Sequence, residues 1–189
     1  MPEVTISTIG HSTRPIEEFT GILHAHHIGQ LVDVRTIPRS RHNPQFNREN
    51  LPGSLGTAGI LYRHMPGLGG LRRPRKDSIN TGWRNASFRG FADYMQTPEF
   101  REALQALISL AADAPTAIMC AEAVPWRCHR SLIADALLAR GIPVQEILNA
   151  AHARPLSLTP FAVVQGGEVT YPGGSGQAKL KFDAPGSLR

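Results

Sequence analysis

Two short segments combine the residue types that perform nucleophilic and acid–base chemistry. They are Cys120–Glu122 (CAE) and Cys128–Arg130 (CHR), which lie close together in the chain. A thiol beside histidine and arginine at a helix start ionises more readily than free cysteine. Cys128 is therefore a candidate nucleophile or redox thiol, with His129 beside it as a further reactive group. Glu122 is the candidate general acid or base.

The same residues are also compatible with structural or metal-binding roles. Cys120 follows an apolar run and suits a core position, and Glu122 suits an ion pair with Arg127 or Arg130. Cys120, Cys128 and His129 are three soft metal ligands, but their spacing differs from the Cys-x-x-Cys pairs of common zinc sites. We predict no metal site, and a thiol-based or metal-based sensor is the weaker alternative.

A second cluster, Gly10-His11-Ser12, follows the β-branched run VTISTI. A turn between a strand and a helix N-terminus presents free amides to an anion. His11 is a candidate proton carrier or phosphate donor, and the alternative is a hydrogen-bonded structural histidine. Ser12 is a candidate ligand contact, although a helix cap is its more ordinary role.

A third cluster, Asp33-Val34-Arg35, ends the apolar run QLVDV and is followed by Arg39 and Ser40. A buried carboxylate needs a partner, so a structural ion pair of Asp33 with Arg35 or Arg130 is the favoured interpretation. Arginine binds phosphate or carboxylate in a bidentate manner. The predicted substrate-binding set comprises Ser12, Asp33, Arg35, Arg39, Ser40, Arg130 and Trp83.

Positive charge is concentrated in one part of the chain. Residues 35–76 hold nine basic residues and a single acidic one, a net charge of +8 against +5 for the whole chain. Such a field attracts phosphates and nucleic acid, although a solvated basic loop is the equally weighted alternative. Trp83 is a candidate for stacking on a base, whereas Phe88 suits the core.

Strand and helix patterns alternate along the chain, which predicts a three-layer α/β sandwich. We expect a mostly parallel sheet of about five strands, helices on both faces and a C-terminal β-hairpin around Gln165–Gly167. Strands are predicted at 4–9, 30–34, 59–62, 116–119 and 144–148. Helices are predicted from Pro15 and at 48–55, 88–95, 98–112 and 128–140.

The length of 189 residues predicts one α/β domain over 1–172, followed by a flexible tail over 173–189. No apolar run is long enough to cross a membrane, and the N-terminus lacks a secretory pattern. We therefore expect a cytoplasmic protein with reduced thiols and no membrane partner. Neither a phosphate-loop nor a dinucleotide signature is present, so no cofactor is predicted.

Taken together, the clusters resemble the family known as domain of unknown function 488. The resemblance implies a three-layer α/β fold and a shared polar site, and it implies no particular reaction. Its most specific part is CAE followed by CHR. The matching stretches are 8–12 (TIGHS), 33–35 (DVR) with Pro38 and Ser40, 62–64 (YRH), 68–70 (LGG), 91–95 (FADYM), 120–122, 128–130, 160–162 (PFA) and 170–172 (TYP).

Parallel sheets bind ligands beyond the carboxyl ends of their strands, where all three clusters are expected to meet. Our first hypothesis is an enzyme acting on a phosphate-bearing substrate, a nucleotide or nucleic acid. The alternative is a non-catalytic nucleic-acid-binding module that uses the basic segment. The expected partner is an anionic ligand such as a nucleotide, DNA or RNA, and no oligomeric state is predicted.

Overall fold

The computed structural model of the protein describes residues 4–174. Strands and helices alternate through most of this part of the chain. The helices are α1 (Ile16–Ala25), α2 (Leu51–Thr57), α3 (Ala86–Tyr94), α4 (Pro98–Asp113) and α5 (Arg130–Leu138). The strands are β1 (Ile6–Gly10), β2 (Gln30–Asp33), β3 (Leu61–His64), β4 (Thr116–Cys120), β5 (Val144–Asn149), β6 (His152–Pro155), β7 (Val163–Gln165) and β8 (Glu168–Thr170).

The main sheet has the strand order β3-β2-β4-β1-β5-β6. The first five of these strands are parallel, and β6 is antiparallel to β5. The predicted α/β class with a mostly parallel sheet is therefore confirmed. The sheet has six strands where about five were expected.

The additional strand, β6, escaped the sequence analysis because it is an edge strand. All four of its residues are exposed, and it contains a proline. Without a buried face, a strand shows no hydrophobic alternation, and proline is tolerated only at edges. The third strand also lies later than expected, at Leu61–His64 rather than 59–62, because Gly59 forms a left-handed turn with φ of 70°.

Two hydrophobic cores cover the two faces of the sheet, which makes the molecule three-layered. Successive residues of β4 alternate between these cores: Ile118 belongs to the first, and Ala117 and Met119 to the second. Helices α3, α4 and α5 contribute to the first core, and α1 and α2 contribute to the second. Burial on both faces explains why the sequences of the central strands are continuous apolar runs rather than alternating apolar and polar residues.

Helix caps are present at α3 and α4 but not at α1. The side chain of Asn85 accepts hydrogen bonds from the first turn of α3, and that of Thr97 accepts one from Phe100 N–H. Ser12 does not cap α1, contrary to the ordinary role suggested above: Pro15 occupies the N-cap position, and no side chain bonds to the helix there. Ser12 instead forms a left-handed turn with φ of 50°.

The C-terminal part of the described chain forms the predicted hairpin. Strands β7 and β8 are antiparallel and joined by Gly166 and Gly167, both with positive φ. Such φ values suit a two-residue hairpin turn. The predicted tail begins at 173, and its residues 175–189 lie outside the described residues. Within 4–174, no helix has the length and apolar character needed to span a membrane.

Candidate functional site

A cavity of about 500 Å³ lies at the carboxyl edge of the sheet, beyond β2 and β4. It combines two thiols, three arginines, one carboxylate and an apolar rim. The lining residues are Arg35, Thr36, Ile37, Arg39, Ser40, Gly70, Leu71, Asn85, Ser87, Phe88, Cys120, Ala121, Glu122, Arg127, Cys128 and His129. The CAE, CHR and DVR segments thus meet here, as their positions after strands implied.

Arg35 is fixed in the cavity wall by a buried ion pair with Asp33. Its Nε and Nη2 donate to the two carboxylate oxygens of Asp33 at 2.9 and 2.6 Å, and Nη2 also donates to Phe46 O at 2.7 Å. The Tyr62 hydroxyl donates to Asp33 Oδ2 at 2.9 Å. Asp33 is completely buried, so this is the structural ion pair favoured by the sequence. Asp33 does not line the cavity.

His11 supports Arg35 from behind and does not reach the cavity. It is 1% exposed, and its ring stacks on Phe46 at 4.1 Å between ring centroids. Nδ1 donates to Ser12 O at 2.8 Å, which leaves Nε2 to accept from Arg35 Nη1 at 3.3 Å. Burial lowers the pKa of His11 to about 4. The structure therefore places His11 and Ser12 outside the group of residues that can touch a ligand in the cavity.

Arg130 lies beneath the cavity floor, completely buried and outside the lining. Its Nε donates to Cys120 Sγ at 3.0 Å, Nη1 to Thr8 Oγ1 at 2.6 Å and Nη2 to Glu122 O at 2.6 Å. No ion pair joins Arg130 to a carboxylate within the described residues. Arg130 therefore does not lie in the lining, where its predicted binding role would have placed it, and it contacts the floor through Cys120.

Cys128 and His129 form a hydrogen-bonded pair on the cavity floor. His129 Nε2 donates to Val34 O at 3.0 Å, so Nδ1 is left as an acceptor facing Cys128 Sγ at 3.5 Å. Burial lowers the pKa of His129 to about 4, so the ring is neutral at pH 7. Helix α5 begins at Arg130, two residues later than expected, because Cys128 ends a 3₁₀ turn with extended backbone.

The imidazole of His129 is held on two further sides. Its edge contacts the ring of Phe91 at 5.1 Å between centroids. Gly70 lies directly against the ring: a Cβ at position 70 would be 2.6 Å from Nδ1. Only a residue without a side chain fits there, which explains the second glycine of the LGG segment in terms of the site.

The two thiols meet at the floor. The Sγ atoms of Cys120 and Cys128 are in contact, while their Cα atoms are 7.7 Å apart. Both side chains are nearly buried, at 3% and 5% exposure, yet both line the cavity. Cys120 was expected in the core. It does belong to the first core, but its position at the end of β4 also brings its sulfur to the cavity.

The remaining polar residues lie around the cavity rather than on its floor. Arg39, Arg127 and Glu122 are exposed, and none forms an ion pair within the described residues. Glu122 is the one carboxylate in the lining. Ser40 accepts from Asn43 N–H at 3.1 Å and so shapes the turn after Arg39.

Trp83 does not lie where the stacking role required it. It does not line the cavity, and its ring contacts those of Phe88, Phe161 and Tyr171 at 4.9 to 5.4 Å between centroids. Phe88 packs against the first core, as expected, and also lines the cavity.

Several lining residues were not identified from the sequence. Arg127, Asn85, Ser87, Thr36 and the exposed rim residues Ile37 and Leu71 carry no motif of their own, and loops bring them to the edge. For Arg127 the available signal was its place inside the CAE–CHR loop. Among residues 4–174, no group of three or more His, Cys, Asp or Glu side chains is arranged to hold a metal ion.

Comparison with known proteins identifies the family of the chain. The family described as "Domain of unknown function DUF488" matches residues 15–137. No curated protein and no solved structure matches the chain. The matched residues include DVR, LGG, CAE and CHR, and all of the cavity lining.

Proposed function

Because the chain belongs to the DUF488 family, whose description names no reaction, we propose a function from the geometry of the site. We propose an enzyme that acts on a phosphate-bearing substrate with Cys128 as nucleophile. The observation that carries this proposal is the contact between Cys128 Sγ and the free Nδ1 acceptor of His129, on the floor of a cavity lined by arginines.

The paired side chains have the arrangement that thiol nucleophiles need. A base within hydrogen-bond reach removes the thiol proton, and a third group orients the base. Here Val34 O fixes the tautomer of the neutral His129 ring, so Nδ1 faces Cys128 as the acceptor. Since His129 is neutral at pH 7, it can accept the proton as the thiol attacks.

The chemistry follows from these positions in two steps. Cys128 passes its proton to His129 as Sγ attacks phosphorus, an S–P bond forms, and the P–O bond to the leaving group breaks. His129 returns the proton to the leaving oxygen. Water then attacks phosphorus and gives a proton to the Glu122 carboxylate. The S–P bond breaks, and the departing Cys128 sulfur takes up that proton. The sum is hydrolysis of a phosphate ester, with the thiol regenerated.

The walls support an anionic substrate that also has an apolar part. Arg39 and Arg127 are exposed and without carboxylate partners in the described chain, so they are available to a phosphate. Ile37 and Leu71 are 64% and 72% exposed at the rim, and Phe88 offers a ring. A nucleotide or a nucleic-acid end has both features. A catalytic thiol needs reducing surroundings, which favours a cytoplasmic location.

The test is phosphate release from a panel of phosphate monoesters, nucleoside mono- and diphosphates and phosphorylated oligonucleotides. On the best substrate, Cys128→Ser is expected to lower kcat at least about a hundredfold, because a neutral hydroxyl is a far poorer nucleophile beside a weak base. Arg39→Ala and Arg127→Ala should each raise KM about tenfold through lost phosphate contacts.

Arg63→Ala is the matched control, since Arg63 is exposed on β3 and outside the cavity. It should leave kcat and KM unchanged. Full turnover by Cys128→Ser would rule out the thiol mechanism, and an absence of phosphate release from every member of the panel would rule out the substrate class.

One observation favours the non-catalytic alternative. Six cations of the basic segment are exposed and form no ion pair within residues 4–174: Arg39, Arg41, Arg48, Arg63, Arg73 and Lys76. Unpaired exposed cations are the groups that bind a phosphate backbone. In that case the protein would be a nucleic-acid-binding module, and the thiol pair would be structural.

A further inference from the structure

Arg130 carries a buried positive charge that no carboxylate neutralises by contact. Its three hydrogen-bonded partners are a sulfur, a hydroxyl and a backbone carbonyl. Glu146, whose charge also acts on Arg130, already forms an ion pair with Arg154 at 2.7 Å. Burial lowers the pKa of Arg130 to about 10, which still leaves it charged at pH 7.

A buried charge requires a compensating group. Among the contacts of Arg130, Cys120 is the one that can become an anion, and Nε lies 3.0 Å from its sulfur. A neighbouring guanidinium stabilises thiolate over thiol. Arg130 therefore favours the ionised, reactive form of Cys120 over its thiol.

Cys128 provides the second sulfur. Its Sγ lies 3.5 Å from His129 Nδ1 and is in contact with that of Cys120. Two sulfurs, one beside a guanidinium and the other beside an imidazole nitrogen, thus lie side by side on the floor of the cavity. Small oxidants can reach both, because both line that cavity.

The backbone spacing of the two cysteines is longer than that of an ordinary disulfide. The Cα atoms are 7.7 Å apart, whereas disulfides usually span about 4.4 to 6.8 Å. Closing a disulfide therefore requires the loop 121–127 to move, and this loop is mostly exposed, with Ala121, Glu122, Ala123, Trp126 and Arg127 at the surface. The cavity lining would change with that movement.

We propose that Cys120 and Cys128 are a redox-active dithiol that peroxides oxidise to a reversible disulfide. The Cys120 thiolate attacks the peroxide O–O bond, so an S–O bond forms and hydroxide leaves and takes up a proton. Cys128 then attacks the Cys120 sulfenic acid, the S–S bond forms, and water leaves with the Cys128 proton. The dithiol loses two electrons, and the peroxide gains them. Oxidation would also abolish hydrolysis of phosphate esters, because it consumes the Cys128 nucleophile. That consequence rests on the proposed function, whereas the oxidation of the two thiols does not.

The experiment treats the full-length reduced protein with hydrogen peroxide, blocks remaining thiols under denaturing conditions and measures intact and peptide masses. The wild type should lose both free thiols together, become lighter by two hydrogen atoms and yield a peptide linked between Cys120 and Cys128. Dithiothreitol should restore both thiols. In Cys128→Ser, a sulfenic-acid-reactive dione should label Cys120.

The matched variant is Cys120→Ser, which keeps Cys128 and His129 but removes the thiolate beside Arg130. Its remaining thiol should oxidise at least about tenfold more slowly than Cys120 in Cys128→Ser, because the thiolate is the reacting form. Equal rates in the two variants, or two free thiols in the peroxide-treated wild type, would overturn the inference. Since the readout is mass, these outcomes are independent of whether any phosphate ester is hydrolysed.

Discussion

His11 and His129 are the two site histidines whose environment forces them to stay neutral. Burial is the main cause, and it lowers the pKa of each from 6.5 to about 4. The unfolded chain therefore binds more protons than the folded chain between about pH 6.5 and pH 4. The free energy of unfolding must fall as the pH falls through this window. Above about pH 6.5, these two groups cause no pH dependence of that free energy.

Acid should destabilise the protein through these two residues. Each pKa shift corresponds to about 3 kcal/mol of stability at pH 7 that is lost by pH 4. His11→Asn and His129→Gln preserve the donors to Ser12 O and Val34 O. Each should be less stable at pH 7 but lose less on acidification, measured as urea midpoints at pH 7 and pH 5.

His42→Asn is the control, because His42 is exposed and its side chain forms no hydrogen bond within residues 4–174. Its midpoint should shift with pH as in the wild type. Asp135, whose pKa burial raises, contributes with the opposite sign in every variant. A His11→Asn protein with the full wild-type loss between pH 7 and pH 5 would contradict the assignment.

At the scale of elements, the segment after β3 fixes the geometry of the floor. The turn at Pro66–Leu68 brings Gly70 against the imidazole of His129. The ring cannot retreat, because its far nitrogen is bonded to Val34 O and its edge contacts Phe91. The alignment of His129 with Cys128 thus depends on a residue of another loop.

Gly70→Ala should displace this ring. The added Cβ would lie 2.6 Å from Nδ1, and overpacking of this kind costs about 1–3 kcal/mol. We expect a lower denaturation midpoint and a lower rate of Cys128 alkylation, since the thiol loses its acceptor. Gly53→Ala in α2 is the control, because its Cβ would meet nothing within 4 Å.

In the control, alanine should be neutral or stabilising by up to about 1 kcal/mol, as in any open helical position. Unchanged stability and unchanged alkylation in Gly70→Ala would show that the ring has room to move and that the loop does not position it.

The sequence revealed those elements whose burial leaves a pattern. The central strands β1, β2 and β4 were predicted to within about two residues because apolar residues on both faces mark them. Strand β6 and the residues of the cavity rim are exposed, so their sequences contain no such apolar run. The positions of Cys120, Trp83 and Phe88 depend on which elements cover them. Residue type alone therefore did not show that Trp83 lies outside the cavity or that Cys120 and Phe88 reach it from the core.

At the scale of the whole molecule, charge is the feature that separates the two proposed functions. If the exposed cations of the basic segment bind nucleic acid, binding must release counterions. The slope of log affinity against log salt should then be about −0.7 per contacted phosphate on single strands and about −0.9 on duplex DNA. Fluorescence anisotropy with labelled DNA and RNA measures it.

The triple variant Arg41→Ala/Arg48→Ala/Arg73→Ala should weaken binding and flatten that slope. Arg101→Ala is the control, since Arg101 is exposed but paired with Glu168 on a different part of the chain. Affinity that hardly changes between low and high salt would exclude the binding module and leave the cavity as the place where anions are recognised.

The strand order has a consequence for how the protein is made. Strand β1 leaves the ribosome first, yet both of its neighbours, β4 and β5, come from the second half of the chain. Strand β2 can pair with β3 earlier, but its other edge waits for β4, which fills the gap between β1 and β2. A nascent chain therefore carries an unpaired β1 and an open edge on β2 until Thr116–Cys120 has emerged. Translation that stalls before that point would leave an aggregation-prone chain, which makes the synthesis of β4 the step that commits the protein to its fold.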